Sequence, residues 1–185
     1  YLNWANEVYK PTYITQHTLN LTGGSEVGRY LVSFDYLDQP GLVKNTEYQR
    51  YSYRVNTDLN IGKMLKVSSD VTYRHVDRLW PESLGSVQYD VWSMQPTSPV
   101  RYENGDYRLD KQNRNAISLM DLDVVGEDRY NMDVVYGQVK ADFEPIKDLV
   151  FTGMASLNGS WDRRKIHYKN YKYYNETGEL VTQRN

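Results

Sequence analysis

From Arg50 to Ile61 the chain alternates with period two for about twice the length of an ordinary strand. The even positions are Arg50, Ser52, Arg54, Asn56, Asp58 and Asn60. The odd positions are Tyr51, Tyr53, Val55, Thr57, Leu59 and Ile61. Successive side chains of a strand point to opposite faces. One face here is wholly polar, and the other is apolar or aromatic save for Thr57. Eleven residues at ~3.3 Å span ~36 Å, and a tilt of ~40° reduces that to ~28 Å, close to the ~25 Å apolar band of an outer-membrane barrel.

Five more segments alternate in the same way, giving strands expected near 16–22, 29–37, 50–61, 65–75, 131–144 and 149–162. Tyr30, Val32, Phe34 and Tyr36 share one face, as do Leu65, Val67, Val71 and Tyr73. Val135, Val139, Ala141 and Phe143 share another, and Leu149, Phe151, Ala155, Leu157 and Trp161 the last. Every second connection is tight: Gly23–Val27, Gly62–Met64 and Pro145–Asp148. The others are long, with residues 76–130 the longest. Short turns at one end and long loops at the other are the habit of bacterial outer-membrane barrels, whose long loops are extracellular. Under that rule Tyr36, Tyr51, Tyr53 and Tyr73 gather at the outer interface. Ile61, Leu65, Phe143 and Phe151 gather at the periplasmic one.

The composition agrees. The 185 residues include 18 Tyr and 4 Trp, and such amphipathic rings suit interfaces better than a dry core. A net charge of −2 gives no electrostatic case for a nucleic-acid partner. Without cysteine there is no disulfide framework. No apolar run is long enough for a membrane helix, whereas a barrel needs apolar residues only at alternate positions. A soluble β-sandwich, serving as a carbohydrate-binding or adhesin domain, is the competing architecture. It would bury the same apolar faces between two sheets.

The order of particular residues adds a resemblance. Trp4 and Val8-Tyr9-Lys10 lead into His17-Thr18-Leu19-Asn20-Leu21-Thr22-Gly23-Gly24-Ser25-Glu26. Arg29-Tyr30, Tyr36-Leu37-Asp38-Gln39-Pro40-Gly41-Leu42-Val43-Lys44-Asn45 and Tyr48-Gln49-Arg50-Tyr51 follow. This run resembles SusC/RagA-type TonB-dependent transporters, outer-membrane importers of Bacteroidetes, with Pro40 where the family usually has Glu. Asn104-Gly105-Asp106-Tyr107 and Phe143-Glu144-Pro145 also look family-like. The match is strongest over residues 1–60. It implies an all-β, antiparallel up-and-down transmembrane barrel of about 22 strands with a plugged lumen. Residues 1–185 would supply about six of those strands as part of one barrel domain, with the plug outside this chain. It further implies import rather than enzymatic catalysis, a glycan oligosaccharide or, second, a peptide as solute, and a SusD-like surface lipoprotein as lid. A TonB energy complex would act through the plug, and outer-membrane lipid would surround the wall.

Arg50, Arg54, Asp58, Asp70 and Arg74 share the expected lumen face. A structural charge ladder explains them more simply than solute contact. In the long loop Trp80, Trp92, Tyr102 and Tyr107 are candidate contacts to solute or lid, because aromatic rings stack on sugars and anchor interfaces. Residues 86–94 are expected to be helical, with Val87 and Val91 on one side. Asn104-Gly105 signals a hairpin of the type I′ kind. The acids Asp121, Asp123, Glu127 and Asp128 lack calcium-loop spacing, and His17, His75 and His167 lack metal-ligand spacing. No catalytic, metal or cofactor motif is present.

Overall fold

The computed structural model describes residues 1–112, 114–175 and 177–183. Six antiparallel strands form one sheet in the order β1 (Thr15–Gly24), β2 (Gly28–Asp38), β3 (Glu47–Ile61), β4 (Leu65–Pro81), β5 (Gly126–Ile146) and β6 (Leu149–Tyr168). Each strand pairs with its sequence neighbour, so the sheet is a meander. β1 pairs only with β2, and β6 only with β5, which leaves two open edges.

The register gathers the alternating apolar residues on one side, while a few, among them Leu31, Leu37, Val76 and Val134, fall on the polar face. Across β3 and β4, Val55 stands opposite Val71 and Asn56 opposite Asp70, as the alternation and a three-residue turn at Gly62–Met64 require. A central row then runs Leu21, Val32, Val55, Val71, Gly137, Leu157. Toward the short-turn end the face finishes with Ile61, Leu65, Phe143 and Phe151. Toward the other end it finishes with His17, Tyr36, Tyr51, His75, Asp133 and Trp161. Rings contact ring to ring along that row, at 6.4, 5.0 and 6.3 Å between centroids from His17 to His75. A second aromatic row lies one step below it, Phe34–Tyr53–Tyr73, at 5.1 and 6.1 Å. The one polar pair inside this face, Thr57 and Ser69, is satisfied internally, with hydroxyls 2.7 Å apart.

Among the described residues nothing covers the apolar face. Val55, Leu59, Val71, Val139, Phe151 and Leu157 are all exposed. Of the described buried apolar residues only Val76, on the polar face, and Pro81, at the cap end of β4, belong to the six-stranded sheet. A sandwich would have hidden these residues against a second layer, so that architecture is excluded.

The buried core sits beyond the long-connection end, in a cap built from separate stretches of chain. It contains helix α1 (Trp4–Val8), helix α2 (Leu84–Ser93), a 3-10 turn (Ser118–Met120), helix α3 (Leu122–Val125) and a small hairpin, β7 (Lys172–Tyr174) with β8 (Leu180–Gln183). Trp4 and Val8 pack with Val87, Val91, Met94, Ala116 and Met120. Tyr107, Leu109 and Tyr173 form a second cluster. Trp4 Nε1 donates to the Gln95 carbonyl at 3.0 Å, and Asn45 Nδ2 to the Met120 carbonyl at 2.8 Å. The cap therefore ties the stretch before β1, the β2–β3 connection, the β4–β5 connection and the stretch after β6 into one unit.

Several boundaries differ from expectation. β3 to β6 run 15, 17, 21 and 20 residues. The long connection accordingly spans 82–125 rather than 76–130. Beyond the aromatic rows both faces carry polar residues, so the hydropathy alternation fades while the ladder continues. The β5–β6 turn is Lys147–Asp148, because the ladder passes Pro145 through a bulge between Phe143 and Ile146. The helix starts two residues early, at Leu84, and buries Val87 and Val91 as expected. The Asn104-Gly105 hairpin is not type I′. Only Gly105 has a positive φ, 92°, and Tyr102 N donates to Asp106 O at 2.9 Å. That is the three-residue loop closed by a left-handed glycine.

Candidate functional site at the polar face and its mouth

The polar face is a wall of cross-strand networks. Asp35 accepts from Gln16 Nε2 at 2.7 Å, Thr18 Oγ1 at 2.9 Å and Arg50 Nη2 at 3.0 Å, joining β1, β2 and β3. Arg54 Nη2 reaches Asp70 at 2.6 Å, the diagonal pair that the register sets up, while its Nε donates to Asn56 at 3.0 Å. Ser68 donates to Asp58 at 2.6 Å, and Lys140 and Thr152 both donate to Asp142, at 2.8 and 2.6 Å. Arg74 shares this face and is exposed, with no ion pair among the described residues. The predicted set Arg50, Arg54, Asp58, Asp70 and Arg74 thus lies on one face. It is not one cluster: Arg50 belongs to the Asp35 network, Arg54 and Asp70 to each other, Asp58 to Ser68.

Where the strands rise past the aromatic rows, the polar face carries a denser group. Tyr48, Arg78, Tyr130 and Arg164 form one row across β3 to β6. The Arg78 guanidinium carbon lies 3.9 Å from the Trp80 ring centroid and 5.0 Å from that of Tyr130. Asp128, only 5% exposed, takes two bonds from Arg164, at 2.9 and 2.7 Å, and a longer one from Arg78 at 3.4 Å. A buried carboxylate needs such compensation. The result is a rim of alternating rings and guanidiniums, able to stack on a planar or sugar face and to donate to oxygen. The sequence reading found Trp80 alone. The Arg78-x-Trp80 spacing was the available signal, since residues two apart on a strand share a face.

The cap sorts the other candidates. Trp92 projects from α2 and is 74% exposed, beside Tyr89 at 69%. Tyr102 lines a cleft with Arg101, Asn104, Arg108 and Tyr174, and its buried hydroxyl has no hydrogen-bond partner among the described residues. Tyr107 corrects the expectation. It is 7% exposed, donates to Asp121 at 2.8 Å and lies under the Arg101 guanidinium at 3.5 Å, so its ring packs the cap itself. Burial, then the bond to Asp121, pushes its phenol up to about 12. The loop acids are likewise engaged. Asp121 caps α3 by accepting from Asp123 N, Asp123 meets Lys169 at 2.6 Å, and Glu127 lies 3.5 Å from Arg129. The Lys169 ammonium holds the Asp123 carboxyl below its ordinary value.

A sheet with an exposed apolar face, a charged opposite face and two open edges matches known barrel walls. The chain superposes on the RagAB peptide transporter with a TM-score of 0.71 at 22% identity, covering 88% of this chain and 19% of that one. The 'open-open' state of the RagAB peptide importer gives 0.71 at 21% identity. In sequence, TonB-dependent receptor P26 of Formosa agariphila is 30% identical over 106 residues, which is 57% of this chain and 10% of the receptor. The receptor SusC of Bacteroides thetaiotaomicron is 25% identical over 105 residues, 56% and 10% respectively. No family model matches. This chain is similar to a barrel segment of SusC/RagA-type TonB-dependent transporters. It spans about a tenth of the length of the curated receptors. Its wall is part of a larger outer-membrane β-barrel, with the apolar face toward lipid. Open strand edges do not persist in hydrocarbon, so in a bilayer the β1 and β6 edges require pairing strands.

Proposed function

We propose that this chain supplies wall and outer rim to a TonB-dependent outer-membrane importer of a large nutrient, a glycan oligosaccharide first and a peptide second. The observation that carries the proposal is the ring-and-guanidinium rim of Tyr48, Trp80, Arg78, Tyr130 and Arg164, set on the charged face of a lipid-spanning wall. In this reading the charged face is the lumen lining, with Arg50, Arg54, Asp58, Asp70 and Arg74 keeping it wetted. The cap stands on the extracellular side, because all the long connections share that end. Trp92 and Tyr102 are its contacts to a SusD-like lipoprotein lid or to the solute, and Trp80 faces the solute path below. Tyr107 is withdrawn from that set by its burial. A plug lying outside this chain would couple the barrel to the TonB energy complex. The chain's role is passage and selection, not catalysis.

Growth of a strain lacking the full-length transporter, on a panel of glycans and peptides, tests the proposal. Growth is expected to fail on one glycan class and to return with the intact gene. Complementation by Trp80→Ala should restore less uptake than the intact gene, with the barrel inserted normally. Undiminished growth on every glycan and peptide would refute import.

A further inference from the structure

On β5 and β6 the lipid-side face turns cationic directly above its aromatic boundary. Arg163 follows Trp161 two residues along the same face, Lys165 follows Arg163, and Arg129 stands directly opposite Lys165. All three are exposed. Same-face neighbours are ~6.7 Å apart along a strand and ~5 Å apart across the ladder, so the three heads can converge on one group. Like charges directly opposite are unfavourable. The Arg129–Lys165 pair is therefore a strain that an anion would relieve.

The nearby acids offset only part of that charge. Glu127 lies 3.5 Å from Arg129 and, among the described residues, is the one acid bridged to the group. Asp133, diagonal to Arg163 and interacting with it electrostatically, is shared with β4: it accepts from the Tyr73 hydroxyl at 2.6 Å and lies 2.8 Å from His75 Nδ1. Asp77 shares the face two strands away from Arg163. Arg163 and Lys165 make no salt bridge or hydrogen bond among the described residues. Below them the Trp161 indole folds back toward the band. A Cβ placed on Gly159 would meet it at 2.9 Å, so the ring presents an apolar surface at acyl-chain depth.

We propose that Arg129, Arg163 and Lys165 form a binding site for the phosphate groups of an anionic lipid of the outer leaflet, with Trp161 against its acyl chains. Arg163 and Lys165 stand ~5 and ~10 Å above the Trp161 row after allowing for tilt, which is headgroup depth. Charge-assisted bonds from three cations suit a phosphate's several acceptor oxygens. The inference rests on the extracellular placement of the cap proposed above, and not on import or on any solute.

The test uses the purified full-length transporter, with diphosphoryl lipid A titrated in detergent and bound lipid counted by native mass spectrometry. The triple variant Arg129→Gln, Arg163→Gln, Lys165→Gln is expected to bind on the order of 100-fold more weakly. Lys147→Gln, at the opposite end, should bind as the parent does. Dephosphorylated lipid A and inorganic phosphate should each bind parent and triple variant alike. A second variant, Lys165→Glu, would pair with Arg129. It should raise the barrel's thermal midpoint while still weakening lipid binding. Equal lipid A affinity in parent and triple variant overturns the site. Labelling of a cysteine at Glu103 on whole cells reports the orientation separately. Cells labelled there, with lipid binding unchanged in the variant, refute this site and leave the orientation standing.

Discussion

Val55 and Asn56 are adjacent in sequence and face opposite solvents, so one substitution made at both positions reads the faces directly. The row containing Val55 lies three rows above Ile61 and two below Tyr51. At ~5 Å per tilted row, that is ~15 Å from one edge of the apolar band and ~10 Å from the other. Val55 is thus near the bilayer midplane, where an arginine on the lipid face costs about 2–4 kcal/mol. Val55→Arg should lower the folded-to-unfolded ratio by roughly 30- to 700-fold. Asn56→Arg enters the polar face beside Asp70, the Arg54 partner, and should change stability by under ~1 kcal/mol. The assay is guanidinium titration of the full-length transporter folded into phospholipid vesicles, followed by tryptophan fluorescence. Equal midpoints for the two variants, or a larger loss for Asn56→Arg, would show that the faces are assigned the wrong way round.

Three further outcomes are expected. Trp4→Ala removes a 3% exposed ring and its bond to Gln95, and should cost the cap about 3–5 kcal/mol. Hydrogen exchange should show α2 amides losing protection while β3 amides keep theirs. A double-mutant cycle on Arg54 and Asp70 should give a coupling under ~1 kcal/mol despite the 2.6 Å contact, because their side chains are 51% and 30% exposed; a coupling well above that would mean a dry lumen. Tyr107 has a folded pKa raised to about 12, against ~10 unfolded. Its stabilisation of the cap is complete below pH ~10 and is lost as pH rises toward about 12. Tyrosinate absorbance, compared with Tyr107→Phe, should show that titration, and a midpoint near ~10 would contradict the burial.

The wall was legible because lipid and water impose opposite demands on alternate residues. Val55 opposite Val71 and Arg54 diagonal to Asp70 both follow from parity and a three-residue turn. The strand ends were not legible for the same reason. Past Trp161 the run Arg163, Arg164, Lys165 has no hydropathy contrast, although Arg164 turns in to Asp128 while its neighbours turn out. Ser69 was likewise invisible until the register placed it against Thr57, where each hydroxyl satisfies the other. The rim was half legible: Trp80 stood out as a large ring, but Asp128 read as one of several loop acids. Only the β4–β5–β6 register brings it to Arg78 and Arg164.

The cap was the least legible part, because its core is assembled from stretches far apart in sequence. Trp4 and Val8 precede the first strand, yet they pack with Val87, Val91 and Met120. Tyr173 follows the last strand, and its hydroxyl lies 2.6 Å from that of Ser118. No period within any one stretch encodes such contacts. The consequence is physical as well as predictive. Residues 82–125 are not a loop that can be excised without effect, since deletion would expose Trp4, Val8 and Tyr173 together. Apart from Val76 and Pro81 the wall buries none of its apolar side chains among the described residues, so lipid serves as its apolar partner while the cap folds around a core in water. A perturbation of the cap should therefore alter the mouth and leave insertion intact, whereas a charge on the lipid face should do the reverse.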